Sequence, residues 1–194
     1  MPTTYSWFPV GQRLRVPRVA SEGQRLNVLG AYCSAGVEAG RFVWWSRAQV
    51  RKGRRPQSAG LLPEEGGSLD SAFFLKFLWE AVAGRPPQAP EGWQRERPVV
   101  VVLDNAPLHK SREVKAELAA LARAGVHLCY LPPYTPELSE IEPIWKTVKY
   151  HDLPRRSYPT LRELRTAVQE ALAAQASRRL AHQSRRDNSL PLAA

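Results

Sequence analysis

Five consecutive aliphatic residues, Val99 to Leu103, stop abruptly on Asp104 and Asn105, and this run constrains the fold more than any other part of the chain. Five residues are too few for a buried helix and enough for a strand. A run apolar at both parities predicts a central strand with helices packed on both faces, which points to an α/β layout. Asp104 then falls at the carboxyl end of that strand, the rim where open α/β sheets place their ligand sites. The residue also has a plainer use, because Asp-Asn ahead of Ala106 and Pro107 suits a tight turn.

The flanking sequence supports the layout. Residues 1–18 carry Pro2, Pro9, Gly11 and Pro17 and read as irregular. RLNVLGAYCS (25–34) and RFVWWS (41–46) predict two strands of a β-hairpin, turning at Gly36 and Gly40. The charged stretch 49–67 reads as a loop. Phe73, Phe74, Phe77, Leu78 and Val82 recur at helical spacing between a capping Asp70 and a terminating Gly84. Ser111 caps a second helix with Val114, Leu118 and Leu121 on its inner face, and Val126–Leu131 follows as a strand stopped by Pro132 and Pro133. Ile141, Ile144, Trp145 and Val148 form one stripe of a helix over about 140–150, with Pro143 in its first turn. Thr160 and Glu163 make a capping box that opens the last helix. The pattern fades near Arg178, predicting one domain over 1–177 and a basic, disordered tail over 178–194. Trp44, Trp45, Trp79 and Trp145 fall on the inward faces, and Cys33 and Cys129 read as buried thiols on strands.

Composition narrows the class. Of 194 residues, 43% are hydrophobic and 24% charged, which excludes wholesale disorder. The longest aliphatic run has five residues, far short of a membrane span. The first residues lack the charged start and apolar stretch of a secretory signal, and two cysteines cannot build a multi-bridge scaffold or a four-cysteine zinc site. A cytoplasmic location is expected. Lys and Arg exceed Asp and Glu by ten, which favours polyanionic partners such as nucleic acid. Ten of the basic residues lie in 1–60 against only Glu22 and Glu38, and Arg51, Lys52, Arg54 and Arg55 are the densest group. A solvated basic surface would look the same.

A second acid can be placed beside Asp104. The stretch LPPYTPELSEIEPIWKTVK (131–149) passes from proline-rich loop into helix and carries Glu137, Glu140 and Glu142. Pattern alone does not choose among the three, and Ser139 with Glu142 also fits a capping box. Two acids on separate elements are what a Mg²⁺ or Mn²⁺ site requires, since such ions take oxygen ligands and keep several waters. A pair of metals acting on a phosphodiester needs about three carboxylates. His109 can orient a carboxylate or substrate, and Lys146 and Lys149 can meet phosphates or simply face solvent.

VVVVLDNAPLHKS (99–111) and LPPYTPELSEIEPIWKTVK together resemble the second and third catalytic blocks of mariner-type DDE transposases of bacterial insertion sequences, in the retroviral-integrase, ribonuclease-H-like superfamily. The D-N-x-x-x-H-K block is matched by Asp104, Asn105, His109 and Lys110, and Leu131 to Trp145 matches the block that carries the third acid. Weaker similarity covers Tyr5–Gln12, Arg25–Tyr32 and the chain forward to about Ala174. The resemblance implies Asp104 and Glu142 as catalytic metal ligands, with 37 residues between them. It implies Asn105, His109 and Lys110 as supporting groups, Mg²⁺ or Mn²⁺ as cofactor, transposon ends and target DNA as partners, a homo-oligomer, and a nucleoid-associated protein.

The match is incomplete at the start. The family's first catalytic Asp stands on a strand shortly before the region that Trp7 and Gly11 resemble, and no acid precedes Glu22 here. Asp70 opens a helix and is wrongly placed to substitute. The resemblance therefore implies a ribonuclease-H-like mixed sheet whose first central strand, normally paired with both 25–34 and 99–103, is missing. Three functional expectations result. The first is a DDE catalytic domain for DNA cleavage and strand transfer, inactive as this chain alone. The second is a non-catalytic DNA-binding or dimerising remnant. The third is a related nuclease that takes its third acid from a partner chain or from the tail, where Asp187 is the only aspartate.

Overall fold

The computed structural model describes residues 25–50, 61–133, 135–154 and 158–189. Four strands and four helices alternate as the sequence predicts. They are β1 (Arg25–Tyr32), β2 (Phe42–Gln49), α1 (Ser71–Phe77), β3 (Val99–Leu103), α2 (Arg112–Arg123), β4 (Val126–Tyr130), α3 (Glu142–Thr147) and α4 (Leu161–Ser189). Wider π-type turns, Leu78–Val82 and Val148–Asp152, prolong α1 and α3. Trp7, Gly11, Glu22, Arg51, Lys52, Arg54 and Arg55 lie outside the described residues.

β1 and β2 pair antiparallel, from Arg25 against Gln49 to Tyr32 against Phe42, and β3 pairs parallel with β4, from Val99 against Val126 to Leu103 against Tyr130. These are two separate two-stranded sheets, and among the described residues no strand joins β1 to β3.

The hairpin is the element covered on both faces. Leu29, Ala31, Val43 and Trp45 join Phe74, Phe77 and Leu78 of the α1 layer in one core. Val28, Tyr32, Phe42 and Trp44 join Ile144, Val148, Val168 and Leu172 of the α3–α4 layer in the other. Successive strand residues point to opposite faces, so the hairpin's unbroken apolar stretches feed two cores at once. β3 does not behave this way. Val99, Val101 and Leu103 pack into the α1–α2 core, but Val100 and Val102 remain 63% and 53% exposed. The expectation of helices on both faces of 99–103 therefore fails: α3 and α4 lie on the hairpin instead.

Helix termini follow local chemistry. Asp70 accepts a bond from the Phe73 N–H at 2.8 Å and Ser111 one from Val114 at 3.3 Å. Thr160 Oγ1 accepts from the Glu163 N–H at 3.2 Å, the first half of the predicted capping box, and the same hydroxyl bonds the Glu163 carboxylate at 3.2 Å. α4 exceeds its predicted length and continues to Ser189, so 178–189 is helical and not a frayed tail. Three long-range contacts hold the middle of α4. Asp152 receives Gln175 and Arg178, both at 2.7 Å, and Arg179 lies over the Tyr32 ring at 5.3 Å. Gly40, at φ +85°, lets the hairpin turn approach the Arg179 carbonyl so closely that a Cβ would sit 3.0 Å from it.

The cysteines also depart from expectation: Cys129 is exposed and Cys33 half-buried, because Cys129 shares the open face of the β3–β4 sheet and Cys33 lies just past β1. The four tryptophans are only partly buried, although each packs against one of the cores. No helix among the described residues is long and apolar enough to cross a membrane.

Glu38, in the hairpin turn, ties the hairpin to the segment that leads into β3. Its carboxylate meets Arg41 at 2.7 Å and Arg95 at 2.6 Å, and Arg95 also donates to the carbonyls of Val82 and Ala83. Partial burial pushes the Glu38 pKa up, but the two guanidiniums outweigh it and hold the group below its ordinary 4.5. A depressed folded-state pKa contributes stability above the unfolded value that is lost as pH falls through the folded one. Glu38→Gln should thus lower the melting temperature at pH 7, with the deficit shrinking below about pH 4.5 in a pH series of thermal melts. Leu121 is fully buried at the α2 interface. Leu121→Ala should cost about 2–5 kcal/mol in urea unfolding.

Candidate metal centre

Asp104 leaves the end of β3 and turns at once. Its Oδ1 accepts the Ala106 N–H at 3.0 Å, so the turn-forming use of the residue is realised. Asn105 donates from Nδ2 to the Leu131 carbonyl at 2.7 Å and locks the end of β3 to the end of β4. The next residues wind through a 3₁₀ turn, Pro107–Lys110, which returns His109 to the start of the turn.

His109 Nδ1 lies 2.7 Å from Asp104 Oδ1. A carboxylate only accepts, so this contact places a proton on Nδ1. The imidazole packs on the Phe74 ring at a centroid distance of 4.7 Å, and the Tyr130 hydroxyl donates to the His109 carbonyl at 2.7 Å. Burial raises the Tyr130 pKa, which keeps that hydroxyl protonated and donating at neutral pH. Phe74 and Tyr130 thus hold the residue that holds Asp104. Neither could be found from sequence, where Phe74 reads as helix core and Tyr130 as strand. Asp104 itself stays open, with its side chain 63% exposed, and no described residue donates to its Oδ2.

Glu142 is the first residue of α3, and α3 has no side-chain cap. Its N–H reaches the Ser139 carbonyl at 3.1 Å, while no described residue bonds its exposed carboxylate. The capping box of Ser139 with Glu142 is therefore not formed; the helix begins two residues too late for Ser139 to serve as its cap. α3 is anchored from behind by Trp145, whose ring edge lies over Gly30 of β1. A Cβ at Gly30 would meet Trp145 at 2.5 Å and 2.7 Å.

Asp104 and Glu142 line one cleft of about 660 Å³ between β1 and β3, with Glu140 also on its wall. Glu137 is exposed and does not line it. Among the described residues no cluster of three or more His, Cys, Asp or Glu side chains is placed to hold a metal. By residue type the donor set suits a hard cation, since Asp104 and Glu142 are exposed carboxylates on one cleft and Mg²⁺ is usually held by one or two carboxylates plus waters and substrate oxygens. It does not supply the anionic ligands of a metal pair.

The remaining candidates sit around this cleft or away from it. Lys110 is exposed over the Tyr130 ring at 5.5 Å. Lys146 and Lys149 are exposed on the helix that starts at Glu142, with Lys149 over Tyr150 at 5.7 Å. His127 and His151 are exposed and bring no ligand pattern. Asp187 lies near the end of α4, well along the chain from the cleft-lining residues.

The described elements form an α/β arrangement with one acid at the carboxyl rim of β3 and a second at the start of α3, both lining one cleft. A family model of the DDE superfamily endonucleases matches residues 44–165, more than half of the chain, and the protein belongs to that family. A search of curated proteins returned no match.

Gly30 offers a test of how the site is positioned. Gly30→Ala should shift the amide resonances of Ile141 to Trp145 and lower stability by about 1–3 kcal/mol, as expected for overpacking a filled contact. Unchanged resonances across α3 would show that Trp145 does not set the position of Glu142.

Proposed function

We propose that this chain is the catalytic domain of a mariner-type DDE transposase of an insertion sequence, acting in the bacterial cytoplasm at the nucleoid and carrying two of the three acids that DNA cleavage and strand transfer require. The observation that supports this reading best is that Asp104 and Glu142, far apart in sequence, line the same cleft. Asp104 and Glu142 would hold Mg²⁺ or Mn²⁺ through their free oxygens, and such an ion would supply Lewis-acid activation of a water or hydroxyl and charge stabilisation at the phosphodiester's leaving oxygen.

The chain's own residues perform the positioning. His109 holds one oxygen of Asp104 and leaves the other for the cation. Asn105 fixes the turn that presents it. Lys110, Lys146 and Lys149 meet phosphates from the exposed rim, and the basic stretch 51–55 extends the DNA contact. In this reading the cleft brings two acids where the family's reaction uses three, and the chain alone does not cut DNA.

Two measurements test it. Mn²⁺ added to the protein should broaden amide signals near Asp104 and Glu142, and the effect should weaken strongly in Asp104→Asn and Glu142→Gln. Supercoiled plasmid should remain unnicked by the chain with Mn²⁺. Robust nicking that Asp104→Asn abolishes would show that the site is complete without a further acid.

The excess of basic charge with only two acids at the cleft favours one other reading, a DNA-binding or dimerising remnant. Salt-dependent binding that is insensitive to sequence and unchanged by Glu142→Gln, together with no Mn²⁺ broadening, selects it.

A further inference from the structure

The second basic group of the chain lies away from the cleft. Residues 178–186 hold four arginines and a histidine with no acid, and all of them belong to α4. Arg178, His182 and Arg185 stand at i, i+4 and i+7, so they share one face of the helix. All three are exposed, and among the described residues nothing bonds the side chain of His182 or Arg185. The opposite face is occupied: Val168, Ala171 and Leu172 are buried in the hairpin core, and Arg179 lies over Tyr32. Seven helical residues set Arg178 and Arg185 about 10 Å apart along the axis.

The stripe is fixed in place and joined to the helix that Glu142 opens. Asp152 closes the turn that prolongs α3, and both of its oxygens are used. Oδ2 accepts from Gln175 and Oδ1 meets the Arg178 guanidinium, each at 2.7 Å. Gln175 is only 3% exposed, so this contact is built into the fold. A guanidinium carries several N–H donors, and one ion pair leaves the rest of the half-exposed Arg178 side chain free to bond another anion. Lys149 stands three residues before Asp152, and Lys146 three before Lys149, both exposed. Lys146, Lys149, Arg178 and Arg185 therefore follow one another from α3 onto α4, and the intervening acid, Asp152, is already paired.

We infer that the face of α4 carrying Arg178, His182 and Arg185 binds the phosphate backbone of duplex DNA, prolonging the contact that begins at Lys146 and Lys149. The direction of this path rests on the reading that the cleft acts on DNA; the binding face on α4 does not need the cleft to hold a metal. An arginine fork matches phosphate oxygens, and the spacing of about 10 Å equals about three steps of one strand at ~3.4 Å each. The stripe itself has no aromatic residue on which an unpaired base could stack, which separates it from single-strand surfaces. A lipid surface fits poorly, because the apolar face of α4 is spent on the core and Leu180 is its one exposed large apolar residue among those described. Contacts to phosphate read no bases, so this binding is insensitive to sequence and falls with salt.

The test titrates the full chain into a fluorescently labelled DNA duplex at salt concentrations between about 50 and 200 mM. Arg185→Gln should weaken binding several-fold on every sequence and reduce the slope of log affinity against log salt by about one. His182→Arg places a further cation between Arg178 and Arg185. It should tighten binding at low salt and steepen the slope by about one, a gain that misfolding cannot mimic. Lys115→Gln, at an exposed position of α2 outside the stripe, should change neither quantity. No loss in Arg185→Gln, or an equal loss in Lys115→Gln, overturns the inference and leaves the arginines as stabilisers of the negative end of α4. Tighter stripe-dependent binding to an RNA duplex, or to vesicles of anionic lipid, overturns DNA as the partner. Stripe dependence without Mn²⁺ broadening at Asp104 and Glu142 keeps the α4 surface and removes the metal reading; Mn²⁺ broadening without stripe dependence does the reverse.

Discussion

The two-sided burial of the β1–β2 hairpin is the constraint on which the other elements depend. Its odd and even residues enter different cores, one with α1 and α2 and one with α3 and α4. Burial of apolar area is worth about 25 cal/mol per Å², so helices are drawn to both faces of the hairpin and held there in fixed relation. α3 therefore takes its position from Trp145 on Gly30, and Glu142 takes its position from α3. The β3–β4 pair, which carries Asp104, is covered on one face only. The two acids are thus presented by different layers that meet at the cleft.

Asp104 illustrates how a turn residue keeps its carboxylate open to solvent without giving up its structural role. One oxygen is committed to the Ala106 amide and to His109, and the carboxylate remains open to solvent. A histidine held through its ring, its carbonyl and its Nδ1 keeps that carboxylate in one orientation.

Local signals in the sequence determined the elements and the candidate acids. Alternation and capping residues placed all four strands and four helices, and the Asp104 and Glu142 blocks carried the family resemblance. Periodicity reports how many apolar faces an element has, but not which neighbour covers them. The aliphatic run 99–103 was therefore assigned two covered faces, while the structure gives that environment to 25–32 and 42–49. The extension of α4 past Arg178 and the support of His109 by Phe74 and Tyr130 were equally invisible, because each rests on contacts between residues distant in the chain. Residue order determined what each segment could be; tertiary packing decided which faces met, and so which carboxylates share a space.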